Sequence, residues 1–390
     1  MSSGFDLASR RDFIVAGAAA ATLGAPAVLR AQNRFTLDFL TIHDPDGWHP
    51  SLRLKGDWLI FAISDGVETG YGEASHSTDD ELCRQTARSM FERHYSGFPL
   101  SLENLAAKEA ELAPTNPDFV TATALSGLNQ AFYDLLAKRE RVPVWQLFES
   151  RAARSSVPLY TTINRALQTR SNDEYLEIVG ALARSGFSTF KCAPFERVDS
   201  PEDALQKSTF GLRTLGVLRE AFPDIGMRVD FHERFVPADF FELIPELERL
   251  RIDWLEEPFE IGDDYVELKR RTRTRIAGGE LFWGKPTFKK FADNGWVDVI
   301  MPDVKHVGGF GPLLDVLRMA EGRLEVSPHN PSGPVSTAAS LHAAAVRPDA
   351  VRSLEYAFDR MGTRRKTGER IENGRLYLGD TPGWGIDPRA

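Results

Sequence analysis

The chain has 390 residues, 42% of them apolar and 26% charged, with 47 Lys and Arg against 56 Asp and Glu for a net charge of −9. That composition excludes a disordered chain, and an acidic protein without a basic cluster argues against nucleic acid as a partner. The length exceeds what one small core needs and suits a barrel of about 250 residues with a second domain.

Taken in chain order, residues 1–31 are read as a targeting segment rather than fold. Ser9-Arg10-Arg11-Asp12-Phe13-Ile14 precedes an alanine-rich apolar run from Val15 to Leu29, and Leu29-Arg30-Ala31 offers a peptidase site. The run is too short and small-sided to make a good membrane span. A twin arginine before such a run reads as a twin-arginine export signal. The mature protein is therefore expected in the periplasm, with no membrane attachment after cleavage. The segment holds three arginines and two aspartates, so its removal leaves a charge of about −10.

Residues 34–155 are read as one domain, strand-rich at first and then helical. Trp58 to Ile63 is a continuous apolar run, Asp65-Gly66 signals a turn, and Gly70-Tyr71-Gly72-Glu73-Ala74 follows a second short strand. Ala122, Leu125, Leu128, Ala131, Phe132 and Leu135 recur at helical spacing. Of the two cysteines, Cys83 lies here and Cys192 beyond; the pair is too few for a disulfide scaffold, and both are expected reduced and packed.

From residue 156 to 360 short apolar runs alternate with amphipathic stretches. The candidate strands are Leu159–Asn164, Thr189–Ala193, Met227–His232, Asp253–Glu257, Arg275–Glu280, Val297–Asp303, Leu324–His329 and Leu354–Tyr356. Strand then helix, eight times over, predicts an α/β fold, a (β/α)₈ TIM-type barrel. Six of these strands end in Asp230, Glu256, Glu280, Asp303, His329 and Glu355, at intervals of 23 to 26 residues. That regularity puts all six at one rim, and the C-terminal rim of a barrel carries its active site. Asp230, Glu256 and Glu280 come from consecutive strands. Three converging carboxylates repel one another unless a divalent cation joins them, and an oxygen-only set favours Mg²⁺ over zinc. Asp303 beside His329 would fix the imidazole tautomer and raise its basicity.

Val229-Asp230-Phe231-His232, Trp254-Leu255-Glu256-Glu257-Pro258 and Ala277-Gly278-Gly279-Glu280 resemble the metal-ligand strands of the enolase superfamily. Gly70-Tyr71-Gly72-Glu73-Ala74 resembles a recurrent turn of its α+β capping domain. Asn373-Gly374-Arg375-Leu376-Tyr377 and Pro382-Gly383-Trp384-Gly385 resemble its return to that domain, here 361–390. The resemblance implies one Mg²⁺ held by Asp230, Glu256 and Glu280, with Glu257 pointing away, and a homo-oligomer. Met301-Pro302-Asp303, Gly308-Gly309 and Ser327-Pro328-His329-Asn330 resemble the mandelate racemase-like branch. In that branch Glu355 would donate a hydrogen bond to a substrate carboxylate and Lys191 would stabilise it.

Racemases of the branch carry Lys-x-Lys on the second barrel strand, whereas this chain has Lys191-Cys192-Ala193. Loss of the second lysine disfavours inversion of a stereocentre. Asp230-x-His232 resembles instead the acid-sugar dehydratases, galactonate dehydratase in particular, where the histidine protonates a leaving 3-hydroxyl. Period-two alternation along a strand is expected to turn His232 toward the pocket with Asp230. The resemblance thus implies a Mg²⁺-dependent carbon–oxygen lyase acting on a small carboxylate. Its catalytic residues would be Lys191, His232, Asp303, His329 and Glu355. An epimerase, another lyase of the superfamily, or an exported carboxylate-binding protein without turnover are the alternatives. His43, Trp48, His49, Arg53 and His76 are candidates for substrate recognition from the capping loops. Phe195, Phe282 and Trp283 are expected to make the pocket less polar, and Lys305 is a weaker candidate to face it.

Overall fold

The computed structural model describes residues 35–43, 57–149, 154–198, 204–358 and 368–389. The proposed export segment, and Trp48, His49 and Arg53, lie outside them. Three antiparallel strands come first, β1 (Thr36–His43), β2 (Asp57–Ser64) and β3 (Thr69–Glu73). Helices α1 (Asp80–Tyr95), α2 (Leu102–Leu112) and α3 (Phe119–Arg139) follow. Asp118 starts α3 by accepting the Thr121 N–H at 3.0 Å, an N-cap. From Ala122 to Ala137 every side chain of α3 is buried, as befits a helix enclosed on all sides.

The Gly70-Tyr71-Gly72 stretch, expected as a turn, is the β3 strand itself. Its glycines are set by packing: a Cβ on Gly72 would stand 1.9 Å from the Gly127 carbonyl oxygen, and one on Gly70 2.1 Å from that of Ala131. The strand lies directly against the α3 backbone, so the composition that suggests a turn records a close approach instead.

The remainder alternates strand and helix. The order is β4 (Ser156–Thr162), α4 (Asn172–Arg184), β5 (Thr189–Cys192), α5 (Ala204–Ala221), β6 (Gly226–Asp230), α6 (Pro237–Arg249), β7 (Trp254–Glu256) and α7 (Asp264–Arg271). It continues with β8 (Arg275–Gly278), α8 (Gly284–Asn294), β9 (Val299–Ile300), α9 (Phe310–Ala320), β10 (Glu325–Val326), α10 (Pro334–Val346) and β11 (Leu354–Ala357). Strands β4 to β10 pair in sequence, all parallel, and β11 pairs parallel with β4. An isolated parallel bridge links Val326 to Val351, just before β11, with the Val326 N–H donating to Ala350 at 3.0 Å.

Inside the sheet, Tyr160, Trp254, Ala277, Val299 and Met301 form their own buried cluster. The Arg228 guanidinium lies over the rings of Tyr160 and Trp254, 4.0 and 3.7 Å from their centroids. Cys83 and Cys192 are free and buried. Of the 361–390 segment, expected to return to the capping domain, residues 368–389 are described. The β12 (Ile371–Glu372) and β13 (Arg375–Tyr377) hairpin pairs antiparallel with the start of β4. The contact with the first domain comes at Pro143 and Gly383, which form a bridge, and at Trp384. Among the described residues no helix is long and apolar enough to cross a membrane.

Candidate active site

The side chains expected at one rim do meet there. Asp230 closes β6, Glu256 closes β7, and Glu280 follows β8 by two residues across Gly279, whose φ of +113° bends the chain. One carboxylate oxygen from each lies within 4.8 Å of the other two. Lys191 of β5 is buried among them, its Nζ 2.5 Å from Glu256 Oε1, 2.9 Å from Glu355 Oε1 and 3.5 Å from Asp230 Oδ2. Burial opposes its charge, but Glu256, Glu355 and Asp230 outweigh burial and hold it protonated. Burial pushes Glu256 well above the usual carboxylate range despite Lys191, with Asp230, Glu355 and Glu280 adding repulsion. An all-oxygen, crowded, buried set with one cation for several carboxylates fits a hard divalent ion. Glu257 turns away, its Oε1 accepting the Gly279 N–H at 2.6 Å, and burial lifts its carboxyl to about 8.

His329 bridges two sides of the rim. Its Nδ1 is 2.8 Å from Asp303 Oδ2, its Nε2 is 3.0 Å from Glu280 Oε2, and Glu355 Oε2 lies at 3.9 Å. Burial lowers its proton affinity, but Glu280, Glu355 and Asp303 together raise it well above the ordinary histidine value. Asp303 has a second partner. The buried Lys305 ammonium pairs with the same Oδ2, and the Lys305 N–H donates to Oδ1 at 2.8 Å. Asp303 is consequently held far below the usual carboxylate range despite its burial, with Lys305, His306 and His329 all contributing. His306 itself is kept neutral, pushed down to about 3 chiefly by burial. Glu355 Oε1 forms an ion pair with Lys191 at 2.9 Å, and its Oε2 accepts the Asn330 N–H at 3.0 Å.

His232 reaches the pocket by a route that strand alternation does not supply. Strand β6 ends at Asp230, and His232 and Glu233 adopt left-handed backbone angles, φ 48° and 54°. The resulting turn aims His232 Nε2 at Asp230 Oδ2, 3.0 Å away, and the His232 N–H donates to Asp230 Oδ1 at 3.0 Å. Two non-glycine residues at positive φ cost free energy that the surrounding contacts must offset. Burial lowers the proton affinity of His232, while Asp230, Glu280 and Glu196 more than reverse this.

A cavity of about 180 Å³ is bounded by Lys191, Asp230, His232, Glu280, His329 and Glu355. His76, Phe119, Asn164, Arg165, Glu196 and His306 are also part of its wall. Three aromatic residues expected there are elsewhere. Phe195 is buried and stacks on Phe231 at 4.9 Å, Phe282 packs edge-on against Phe291, and Trp283 lines a separate cavity. His43 is exposed and pairs with Asp57. Arg165 and Asn164 were legible: they lie just past the end of β4 as Glu280 lies just past β8, and the same strand-end rule applied to the first barrel strand singles them out.

The pattern of the family described as "Enolase C-terminal domain-like" matches residues 174–390. This chain belongs to that family. The enolase-superfamily assignment agrees with its curated relatives. It is 31% identical over 230 residues to a D-galactonate dehydratase of Cronobacter sakazakii, covering 57% of this chain and 58% of that one. It is 30% identical over 283 residues to a D-galactonate dehydratase of Klebsiella pneumoniae, covering 69% and 72%. Among solved structures, a mandelate racemase/muconate lactonizing enzyme from a Jannaschia species superposes with a TM-score of 0.78 at 25% identity, covering 90% of this chain and 94% of the other.

Proposed function

We propose that this enolase-superfamily protein is a Mg²⁺-dependent hydro-lyase of a sugar acid, taking a proton from C2 and expelling the 3-hydroxyl to give a 2-keto-3-deoxy acid. The bridge between Val326 and Val351 supports closure of β4–β11 into a complete (β/α)₈ barrel. The observation that carries the reading is the placement of two histidines on different members of the carboxylate cluster, His329 on Glu280 and His232 on Asp230, each 3.0 Å away. Elimination needs a base and an acid with separate tasks. The position where racemases hold a second lysine is Ala193. The named relatives, both D-galactonate dehydratases, point the same way.

Asp230, Glu256 and Glu280 would hold the cation, which would supply Lewis-acid polarisation of a substrate carboxylate and offset the ligands' charge. Lys191, held charged beside that cluster, opposes the negative charge that grows on the substrate carboxylate as C2 loses its proton. His329 Nε2 faces the cavity and receives the C2 proton. Asp303 on Nδ1 sets the tautomer and stabilises the imidazolium that results. Lys305 keeps Asp303 ionised and in place. His232 passes a proton to the 3-hydroxyl, which leaves as water, and the enol so formed tautomerises to the keto acid. Glu355, paired with Lys191 and held by the Asn330 N–H, fixes the lysine. The sequence of residues 1–31 supports export of the folded enzyme to the periplasm, and the family resemblance supports self-association.

Separating the two half-tasks tests this assignment. His329→Asn should lose both deuterium exchange at C2 and dehydration, by about 10²–10⁴-fold. His232→Asn should lose dehydration yet retain C2 exchange. Equal loss of exchange in both variants would contradict distinct roles.

A further inference from the structure

The two histidines of the rim are held alike. His329 has one ring nitrogen on a member of the carboxylate cluster, Glu280, and the other on Asp303, which stands outside the cluster and is anchored by Lys305. His232 has its Nε2 on Asp230 of the cluster, 3.0 Å away, and its Nδ1 faces Glu196 Oε1 at 3.9 Å. Glu196 also stands outside the cluster, in the loop after β5, and lines the same cavity. Its side chain is only 7% exposed, and its Oε2 forms an ion pair with Arg170 at 2.9 Å. Among the described residues no hydrogen bond reaches its Oε1.

The loops after β5 and β6 are built to bring this pair together. Phe195 and Phe231, each one residue before Glu196 and His232, stack with ring centroids 4.9 Å apart. Beyond the pair, Arg234 Nη1 donates to the Val198 carbonyl at 2.7 Å and ties the same two loops again. Arg170 adopts a positive φ of 53°, and its guanidinium donates to the carbonyls of Ala193 and Asn164, both at 3.2 Å. Backbone strain at His232 and Arg170 is of the kind kept where a side chain must be aimed.

Resting on the dehydratase reading above, we propose that Glu196 is the positioning residue of His232: it accepts the Nδ1–H, fixes the ring, and leaves Nε2 to carry the proton to the 3-hydroxyl. Asp230 is less suited to that task, because its carboxylate belongs to the cluster and lies 3.5 Å from Lys191. Catalytic hydrogen bonds in sites without substrate are often long and tighten when it binds, which places 3.9 Å within reach. A carboxylate on one ring nitrogen sets which nitrogen works, as Asp303 does for His329. The step balances. The electron pair left at C2 forms the C2–C3 double bond, the C3–O bond breaks, the oxygen takes the Nε2 proton, and water leaves. The ring ends neutral, with its remaining proton on Nδ1 against Glu196.

The test compares wild type with Glu196→Leu, which removes the acceptor, and Glu196→Gln, which keeps an acceptor oxygen at the same size. Each meets a dehydrated sugar acid and its 3-chloro analogue, whose leaving group needs no proton. Glu196→Leu should lower kcat for loss of water by about 10- to 100-fold. Its KM should stay within about threefold of wild type. Loss of chloride and deuterium exchange at C2 should both continue at the wild-type pace. Glu196→Gln should recover part of the lost rate, and it carries the same comparison should Glu196→Leu fail to fold. Nitrogen-15 NMR of the protein with Mg²⁺ alone should show a slowly exchanging proton on His232 Nδ1, assigned by its absence in His232→Asn and lost in Glu196→Leu. Equal loss of water elimination, chloride elimination and exchange, a raised KM in place of a lowered kcat, or an Nδ1 proton that persists in Glu196→Leu would overturn the proposal while leaving the dehydratase reading intact. If the wild type dehydrates no acid, that reading fails, and the Nδ1 proton by itself decides whether Glu196 holds His232.

Discussion

Two sets of buried carboxylates in this molecule face opposite situations. Glu73 and Asp134, in the capping domain, are surrounded by donors. Glu73 accepts from Ser75 Oγ at 2.9 Å, Gly333 N–H at 2.8 Å and Ser336 N–H at 3.0 Å, so it caps α10 across the domain junction. Asp134 accepts from the Tyr71 and Trp384 N–H groups at 2.8 and 2.7 Å and pairs with Lys138 at 2.7 Å. Asp230, Glu256 and Glu280 are instead surrounded mostly by one another, with Lys191 and two histidines as partners. The first arrangement satisfies each carboxylate within the fold and holds two domains together. The second leaves charge to be met from outside, which is what a cation and an anionic substrate would do.

This contrast makes the two sets respond oppositely to the same kind of substitution. The largest effect is expected at Glu256. Glu256→Gln should lower turnover by at least about 10³-fold, in the range set by loss of electrostatic stabilisation. It should change the stability of the cation-free protein by less than about 1 kcal/mol, because a crowded carboxylate is exchanged for a neutral amide. It should also remove the gain of about 2.7 kcal/mol expected for the wild type at Mg²⁺ a hundredfold above its Kd. Thermal melting with and without Mg²⁺ measures both, and a Mg²⁺ gain that survives in the variant would dissolve the distinction. At Glu73 the order reverses. Glu73→Ala strands three donors and should cost about 3 kcal/mol of stability in urea unfolding. The turnover of the fraction that remains folded should stay close to wild type.

A third prediction concerns pH at the same domain seam. His342 of α10 accepts the Trp145 N–H at 3.2 Å and lies against Trp384 with ring centroids 5.4 Å apart. Burial pushes its proton affinity down to about 3. The unfolded chain protonates this histidine near pH 6.5 while the folded chain does not. Its contribution is therefore complete above pH 6.5 and declines as pH falls toward 3, by at most about 1.4 kcal/mol per unit. His342→Asn should flatten the fall of the melting midpoint across that window. An unchanged slope would assign the acid sensitivity to other groups.

How far the sequence reaches also differs between the two sets. The eight parallel strands and the rim residues were legible because a strand-and-helix rhythm keeps step with polar strand ends. Asp230, Glu256 and Glu280 needed no more than that spacing. Glu73 and Asp134 gave no such signal: the donors that tie them across the molecule, at Gly333, Ser336 and Trp384, lie 250 to 263 positions away. Gly70 and Gly72 misled for a related reason, since a helix pressed against a strand selects glycine as strongly as a turn does. His232 was found by an alternation rule, yet the structure places it with two positive-φ residues, a local conformation that strand periodicity does not encode. Lys305, the weaker candidate to face the pocket, is not among its lining residues; it is buried against Asp303 instead, a pairing within the loop after β9 that strand rhythm does not encode.

The central claim is most directly tested by incubating the purified protein with aldonic and aldaric acids, in Mg²⁺ and again in EDTA, and measuring 2-keto-3-deoxy acid. The account predicts product from at least one acid in Mg²⁺ and none in EDTA. Deuterium entering C2 without loss of water would contradict the dehydratase assignment and favour an epimerase, and neither exchange nor product across the library would contradict a sugar-acid lyase altogether.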